Sequence, residues 1–364
     1  MSALLTLPSQ FCYPHMQDLA SSLLSWYHSY RRDLHWRLHP SPYRIWLSEI
    51  ILQQTRVAQG TPYYMKFIEH YPTVIDLANA DEEEVLKLWQ GLGYYSRARN
   101  LLAAARQIRD DFNGSFPDNY QDLLTLKGVG PYTAAAIASI AFNEKVPVVD
   151  GNVMRVMARL FEIHDPVNEK HGLNQVQEAM ESLIPADTPG DFNQAVMELG
   201  AMICSPTNPA CLHCPVNTSC LGRENGTHLE LPKKSNKQKT KEVFIQYYVV
   251  QSGDEILLRK RITQGIWKNL FDFPDNESNS PFDTDAPNNF MSSTYPDVQV
   301  QSIEAGPHFT HILSHRKMQV QFVRIYTANL PTQLSDDLRR TNVSELQDFP
   351  VSRLVEKFLH TTPF

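Results

Sequence analysis

Cys204, Cys211, Cys214 and Cys220 fall within seventeen residues, and Pro206, Pro209 and Pro215 between them hold the chain in a compact, non-helical loop. Four thiolates on such a loop can converge on one centre. Zinc and a four-iron, four-sulfur (4Fe-4S) cluster both accept four cysteines, so ligand type alone leaves both open. Structural zinc sites more often use two close pairs, and here only Cys211 and Cys214 form one, which favours iron and sulfur. His213 reads as a surface residue of the same loop, and Cys12 stands apart from it.

Two carboxyls stand out next. Glu49, in Trp46-Leu47-Ser48-Glu49-Ile50-Ile51-Leu52-Gln53-Gln54-Thr55, shares a helical face with Ile45 and Leu52. A carboxyl set among apolar neighbours has its pKa raised and can act as a general acid; the plainer role is to pair with a buried Arg. Asp150, in Val148-Val149-Asp150-Gly151-Asn152-Val153, lies between an apolar extended piece and a helix beginning near Asn152, the place of an N-cap. Two carboxyls in different environments suit cleavage of a glycosidic bond. One protonates the leaving group while the other, ionised, stabilises an oxocarbenium-like centre.

A third motif could hold a phosphate. At Leu126-Lys127-Gly128-Val129-Gly130-Pro131-Tyr132-Thr133 one helix ends in a glycine turn and another begins with Pro at its first position. Gly128 and Gly130 let backbone approach a ligand, and the helix start offers N–H groups and a positive dipole end. A plain helical hairpin is the alternative.

The elements that must position these groups divide the chain. Its 364 residues are enough for two domains, and 42% hydrophobic with 20% charged residues is ordinary globular composition. Residues 16–203 carry apolar side chains at helical spacing, as in Ile45 to Ala58, Glu82 to Leu88 and Arg97 to Ile108. Gly222 to Lys241 is polar and lysine-rich, as exposed linkers are. Beyond it, Val243 to Val250, Ile256 to Leu258 and Val320 to Tyr326 read as strands, and Asp275 to Asn289 as a loop. We therefore expect a mainly α domain over 1–221, a linker over 222–241 and a mixed α+β domain over 242–364.

The net charge is -7, and after Lys241 there are 11 basic and 15 acidic residues, so neither half is globally basic. A nucleic-acid site must then be a local patch, and binding through a helix start needs no basic excess. The longest apolar run, Ala134 to Phe142, is short of a membrane span, and Met1 to Gln10 lacks the basic residues of a secretory signal. The expected setting is cytoplasmic.

Taken together, the hairpin, the Asp150 motif and the four-cysteine loop resemble the helix-hairpin-helix DNA glycosylase superfamily, in its iron–sulfur branch, over roughly residues 30 to 221. Within it, Ser48 to Thr55 and Gly91-Leu92-Gly93-Tyr94-Tyr95-Ser96-Arg97-Ala98-Arg99-Asn100 are similar to the adenine-excising, MutY-type members. The resemblance implies a 4Fe-4S cluster on the four cysteines. It also implies removal of adenine opposite 8-oxoguanine or guanine in duplex DNA, leaving an abasic site, by a monomer serving the bacterial nucleoid. Glu49 would protonate the flipped base and Asp150 would stabilise the sugar cation, with Tyr132 and Asn152 beside the sugar. Members that also nick the strand carry a Lys where this chain has Tyr132, which cannot form a Schiff base. Lys127, Gly128 and Gly130 would meet the DNA backbone, Gln194 the adenine, and Gln54 and Tyr94 would insert near the lesion. Arg97 and Arg99 would add positive charge nearby.

The C-terminal part resembles the same family's Nudix-like domain, including Gly265-Ile266-Trp267-Lys268-Asn269-Leu270-Phe271, but without the acidic metal box of Nudix hydrolases. Thr310-His311-Ile312-Leu313-Ser314-His315 resembles its 8-oxoguanine-sensing loop, with Leu313 where a Phe is usual and with Ser314 and His315 keeping the polar recognition. Two competing readings are an endonuclease III-like glycosylase and lyase for oxidised pyrimidines, and a non-catalytic iron–sulfur DNA-binding or electron-carrier protein. Tyr132 and the C-terminal domain oppose the first, and the pairing of Glu49 with Asp150 opposes the second.

Overall fold

The computed structural model describes residues 16–235, 241–313 and 316–361. The chain divides into two compact units, Met1–Ala78 with Ala103–Asn236 and Asn79–Leu102 with Lys237–Phe364. Helices follow in the order α1 (Met16–Tyr30), α2 (His35–Leu38), α3 (Pro42–Leu52), α4 (Val57–His70), α5 (Val74–Ala78), α6 (Glu82–Leu88) and α7 (Ser96–Asp111). Then come α8 (Tyr120–Leu123), α9 (Pro131–Phe142), α10 (Gly151–Leu160), α11 (Lys170–Leu183), α12 (Pro189–Met202) and α13 (Leu221–Glu224). None of the described helices is long and apolar enough to cross a membrane.

Local chemistry sets the ends of the helices that matter. Ser41 caps α3 by accepting the Arg44 N–H at 3.3 Å, with Pro42 at the first helical position. The apolar spacing that continues from Ile45 to Ala58 predicts one helix, but the chain breaks after Leu52. Gln54 takes a left-handed φ of 57°, and α4 starts afresh at Val57. Gly128 turns the hairpin with a φ of 74°, and α9 begins at Gly130 and Pro131. Buried Ala134, Ala135, Ala136 and Ala138 give α9 a thin profile that lets neighbouring helices close on it. Helices α1, α10, α11 and α12 share a core that includes Leu23, Tyr27, Met157, Met180, Phe192 and Leu199, with Cys204, Cys214 and Cys220 packed against it.

The stretch from Gly222, expected as exposed linker, stays packed as far as it is described. Leu231 is buried, its carbonyl accepts from Arg159 Nε at 3.0 Å, and the Lys233 carbonyl accepts from the Val167 N–H at 3.1 Å. One apolar side chain in a lysine-rich run is enough to anchor it, a signal composition averages away.

In the second unit a mixed sheet is built from β1 (Lys241–Ser252), β2 (Glu255–Lys260), β3 (Phe271–Asp272), β4 (Asp275–Ser278), β5 (Val300–Ile312), β6 (Arg316–Thr327) and β7 (Leu338–Asn342). Its main path runs β3-β2-β1-β6-β5; β4 pairs with β1 and β7 with β2. The central β1–β6 pair is parallel, with Tyr247 opposite Phe322. Helix α14 (Ala286–Thr294) supplies Met291 to one core, with Tyr248 and Val250, and α15 (Arg353–Thr361) supplies Phe358 to the other, with Tyr247 and Phe322. Burial of successive residues on both faces is what a parallel central pair requires. The polar run from Asp275 to Asn289, expected as a loop, instead forms β4 and starts α14.

A four-charge cluster locks β2, β3 and β4 together. Arg259 donates to Asp272 at 3.0 Å and to Asp275 at 2.7 Å, and Arg261 bonds the same two carboxylates. Asp272→Asn would leave two buried guanidiniums facing one carboxylate, and removing one partner of a buried pair typically costs about 3 to 5 kcal/mol. We expect a clear drop in the denaturant midpoint of this domain; an unchanged midpoint would contradict the role given to the cluster.

Residues 79–102 belong to this unit although the sequence places them in the helical domain. Helix α6, capped by Asp81, is tied to the sheet by Glu83 with Lys260 at 2.5 Å and by Asn269 donating to Glu82 at 2.5 Å. These pairs join residues 177 and 187 positions apart, beyond the reach of any local pattern.

Candidate active site

Glu49 stands on the last turn of α3 and Tyr132 on the first turn of α9, and the Tyr132 hydroxyl donates directly to the Glu49 carboxyl. Gln53 Nε2 donates to Thr133 Oγ1 at 3.2 Å and fixes the same two helix ends together. Burial pushes the Glu49 carboxyl up to about 7; the Tyr132 hydrogen bond works against this, the charge of Asp150 adds to it, and Arg37 opposes it. Near neutral pH the group is therefore poised to hold or give up a proton. The Tyr132 phenol is held well above its usual range, chiefly by burial, so it remains a donor.

Asp150 is the N-cap of α10. Its Oδ1 accepts the Val153 N–H at 2.7 Å and its Oδ2 accepts from Asn152 Nδ2 at 2.8 Å. Burial raises this carboxyl, while the Val153 N–H, Asn152 and Arg155 favour its anion. Asn152 lies close under α12 because Gly200 leaves room; a Cβ on Gly200 would sit 2.6 Å from that of Asn152. Four residues singled out in the sequence thus meet at one site: Glu49, Tyr132, Asp150 and Asn152.

A second layer was not legible beforehand. Glu198, almost fully buried on α12, accepts from Arg32 Nε at 2.7 Å and from Arg37 Nη2 at 3.0 Å. Burial disfavours its charge, but the hydrogen bonds and charges of the two arginines hold it at about 2. Arg37 Nε in turn donates to Gln194 Oε1 at 3.1 Å and so orients that amide. The buried arginine imagined as a partner for Glu49 pairs instead with Glu198.

The four cysteines line one cavity together with Arg159 and Ile203, and His213 is exposed. Among the described residues no group of three or more His, Cys, Asp or Glu side chains is placed to hold a metal ion. Four cysteines lining one cavity suit a cationic centre, and both zinc and a four-iron, four-sulfur cluster accept such a donor set. Burial pushes the Cys214 thiol up to about 12, so a thiolate there calls for a cationic centre. Arg159 is buried behind the loop, with Nη1 donating to the Ser205 carbonyl at 2.7 Å and lying 3.4 Å from Cys204 Sγ. Arg155 donates to the Cys204 carbonyl at 2.7 Å and to Asn152 Oδ1 at 2.9 Å, linking the loop to the Asp150 cap. Cys211→Ser should therefore cost both folding yield and DNA affinity. Normal DNA binding by a soluble Cys211→Ser variant would contradict this.

Of the remaining candidates, Lys127, Gly128 and Gly130 form the hairpin, and the Lys127 N–H is held by Gln107 Oε1 at 3.1 Å. Gln54 is exposed in the turn after α3. Tyr94, 51% exposed, lies in the second unit with a left-handed φ of 47°. Ser314 and His315 lie outside the described residues.

A helical hairpin opening the helix that carries Tyr132, beside two half-buried carboxyls, is the arrangement the resemblance to the helix-hairpin-helix glycosylase superfamily leads one to expect. In agreement, residues 47–185 match the HhH-GPD superfamily of base excision DNA repair proteins, and residues 246–361 match the NUDIX domain. The chain is 40% identical over 258 residues to the adenine DNA glycosylase of Buchnera aphidicola subsp. Baizongia pistaciae, covering 70% of this chain and 72% of that one. It is 31% identical over 338 residues to the adenine DNA glycosylase of Buchnera aphidicola subsp. Schizaphis graminum, covering 92% and 97%. Among solved structures, a thermostable thymine-DNA glycosylase superposes with a TM-score of 0.52 at 32% identity, over 58% of this chain and 97% of that one. The chain belongs to the adenine DNA glycosylase family.

Proposed function

We propose that this protein hydrolyses the N-glycosidic bond of adenine opposite 8-oxoguanine, and less efficiently opposite guanine, in duplex DNA, leaving an abasic site with the strand uncut. The observation that carries this reading is the Glu49 carboxyl, raised to about 7 and bonded by Tyr132 within reach of the charge of Asp150. The target adenosine must leave the base stack, since its glycosidic bond is inaccessible inside a duplex. Glu49 gives its proton to N7 of the flipped adenine, which makes the base a neutral leaving group. The C–N bond breaks, Asp150 as the anion faces the cationic sugar, and water adds its hydroxyl to the sugar carbon while its proton returns to the Glu49 carboxylate. Asn152 and Tyr132 hold the two carboxyls in place, and Gln194, fixed by Arg37 through its oxygen, turns its amide N–H groups to the base.

Around that step, the start of α9 with Lys127, Gly128 and Gly130 suits a backbone phosphate. Gln54 and Tyr94, both exposed and both in left-handed conformations, suit insertion beside the lesion. Ser314 and His315 suit reading of 8-oxoguanine, and Cys204, Cys211, Cys214 and Cys220 suit a 4Fe-4S cluster, which would brace the loop against α10. Base release should be fastest from adenine opposite 8-oxoguanine, slower opposite guanine and absent opposite thymine. Release of an oxidised pyrimidine in place of adenine would overturn the assignment in favour of an endonuclease III-like activity.

A further inference from the structure

The turn that carries Tyr94 is unusual backbone. Gly91, Gly93 and Tyr94 all have positive φ, at 96°, 71° and 47°. Glycine accepts such values freely, whereas a bulky aromatic residue does so only when its surroundings impose them. Two sets of contacts do that here, all within the second unit.

The first set centres on Arg97. Its guanidinium lies 5.0 Å from the ring centroid of Trp89, which is fully buried, and 5.7 Å from that of Tyr94, which is exposed. Its Nη2 donates to the carbonyls of Leu92 at 3.4 Å and Gly93 at 3.3 Å, and Trp89 Nε1 also donates to Gly93 at 3.0 Å. The guanidinium is thus engaged with the turn itself, through contacts with two rings and hydrogen bonds to two of the turn's carbonyls. The second set centres on Tyr95, 3% exposed, whose hydroxyl donates to the Val351 carbonyl at 2.9 Å and accepts the Gly91 N–H at 3.5 Å.

We propose that Arg97 and Tyr95 are positioning residues that fix Tyr94 in its exposed, left-handed conformation before DNA arrives, Tyr95 by anchoring the turn to Val351 of the C-terminal domain. Arg97 then serves recognition without touching a phosphate, which differs from the surface charge its position in the sequence implies. This rests on the reading of Tyr94 as the residue inserted into the duplex.

The test compares Tyr94→Ala, Arg97→Lys and Tyr95→Phe in the full chain. Each is measured for affinity to a mispaired over a fully paired duplex, at several salt concentrations, with circular dichroism as the folding control. Arg97→Lys keeps the charge and loses the fork, and Tyr95→Phe keeps the core ring and loses the anchor. Arg97→Lys should lower the mispair preference at least tenfold, with the slope of log K against log salt unchanged, and adding Tyr94→Ala should lower it no further. Tyr95→Phe should lose about threefold. If Tyr94→Ala abolishes the preference while Arg97→Lys and Tyr95→Phe retain it, the clamp is overturned and insertion stands. A slope reduced by about 0.9 in Arg97→Lys would mark a phosphate contact and also overturn it. If Tyr94→Ala leaves the preference intact, the insertion reading itself falls.

Discussion

Asp150→Asn will lower single-turnover release of adenine by about 1,000-fold, the scale seen when one group that stabilises transition-state charge is removed, while mispair affinity stays within about twofold. The separation follows from the two jobs of the side chain. As an N-cap its Oδ1 accepts the Val153 N–H, and Asn caps a helix as well as Asp does, so α10 and the hairpin survive. In the proposed mechanism the anion acts only when positive charge develops on the sugar, a charge absent from the bound ground state. Turnover near the unaltered rate would remove Asp150 from the chemistry; loss of affinity in parallel with rate would make it a purely structural residue.

The second large effect is on pH dependence. With its carboxyl at about 7, Glu49 carries its proton below that pH and loses it above, so base release should fall about tenfold per pH unit on the alkaline side. Glu49→Gln keeps the acceptor for Tyr132 but has no proton to give, and should lose about 1,000-fold in rate together with this alkaline limb. Stability falls over the same range. The folded state holds a proton that the unfolded chain, with a carboxyl near 4.5, releases sooner. The stabilisation from keeping Glu49 protonated is complete below about 4.5 and is lost as pH rises through about 7. Gln, neutral throughout, should therefore raise the melting midpoint at pH 8 relative to the unaltered protein and change it little at pH 4. A pH–rate profile that keeps its alkaline limb in Glu49→Gln would assign that limb to another group.

What the sequence conveys about this site depends on how local each feature is. The Asp150 motif, the hairpin and the cysteine loop are each a few residues long and carry their own turn chemistry, so their geometry is legible in the residues themselves. For Asp150 the capping reading and the catalytic reading turn out to be compatible, since one oxygen caps α10 while the other faces Asn152. The Glu198 network is different. It joins Arg32 and Arg37 to a residue 166 and 161 positions away, and periodicity reports which face is buried but not which partner waits there. The break at Gln54 has no Gly or Pro to announce it, and apolar spacing runs straight across it. Tyr94 is preceded by the glycines that announce a turn, yet the arginine proposed to fix it reads as surface charge until its contacts with Trp89 and Tyr94 are seen. The same limit applies to residues 79–102, whose attachment to the C-terminal sheet rests on pairs such as Tyr95 with Val351.

In the proposed mechanism a carboxyl pair breaks the glycosidic bond, and Tyr132 stands where a lyase would need an amine. Single-turnover incubation with a duplex containing adenine opposite 8-oxoguanine, analysed with and without later alkali, tests both at once. Strand breaks that appear only after alkali, in proportion to free adenine, are the predicted result. Breaks without alkali would show a lyase that Tyr132 cannot support, and no release from protein with its cysteine centre intact would contradict the assignment of Glu49 and Asp150.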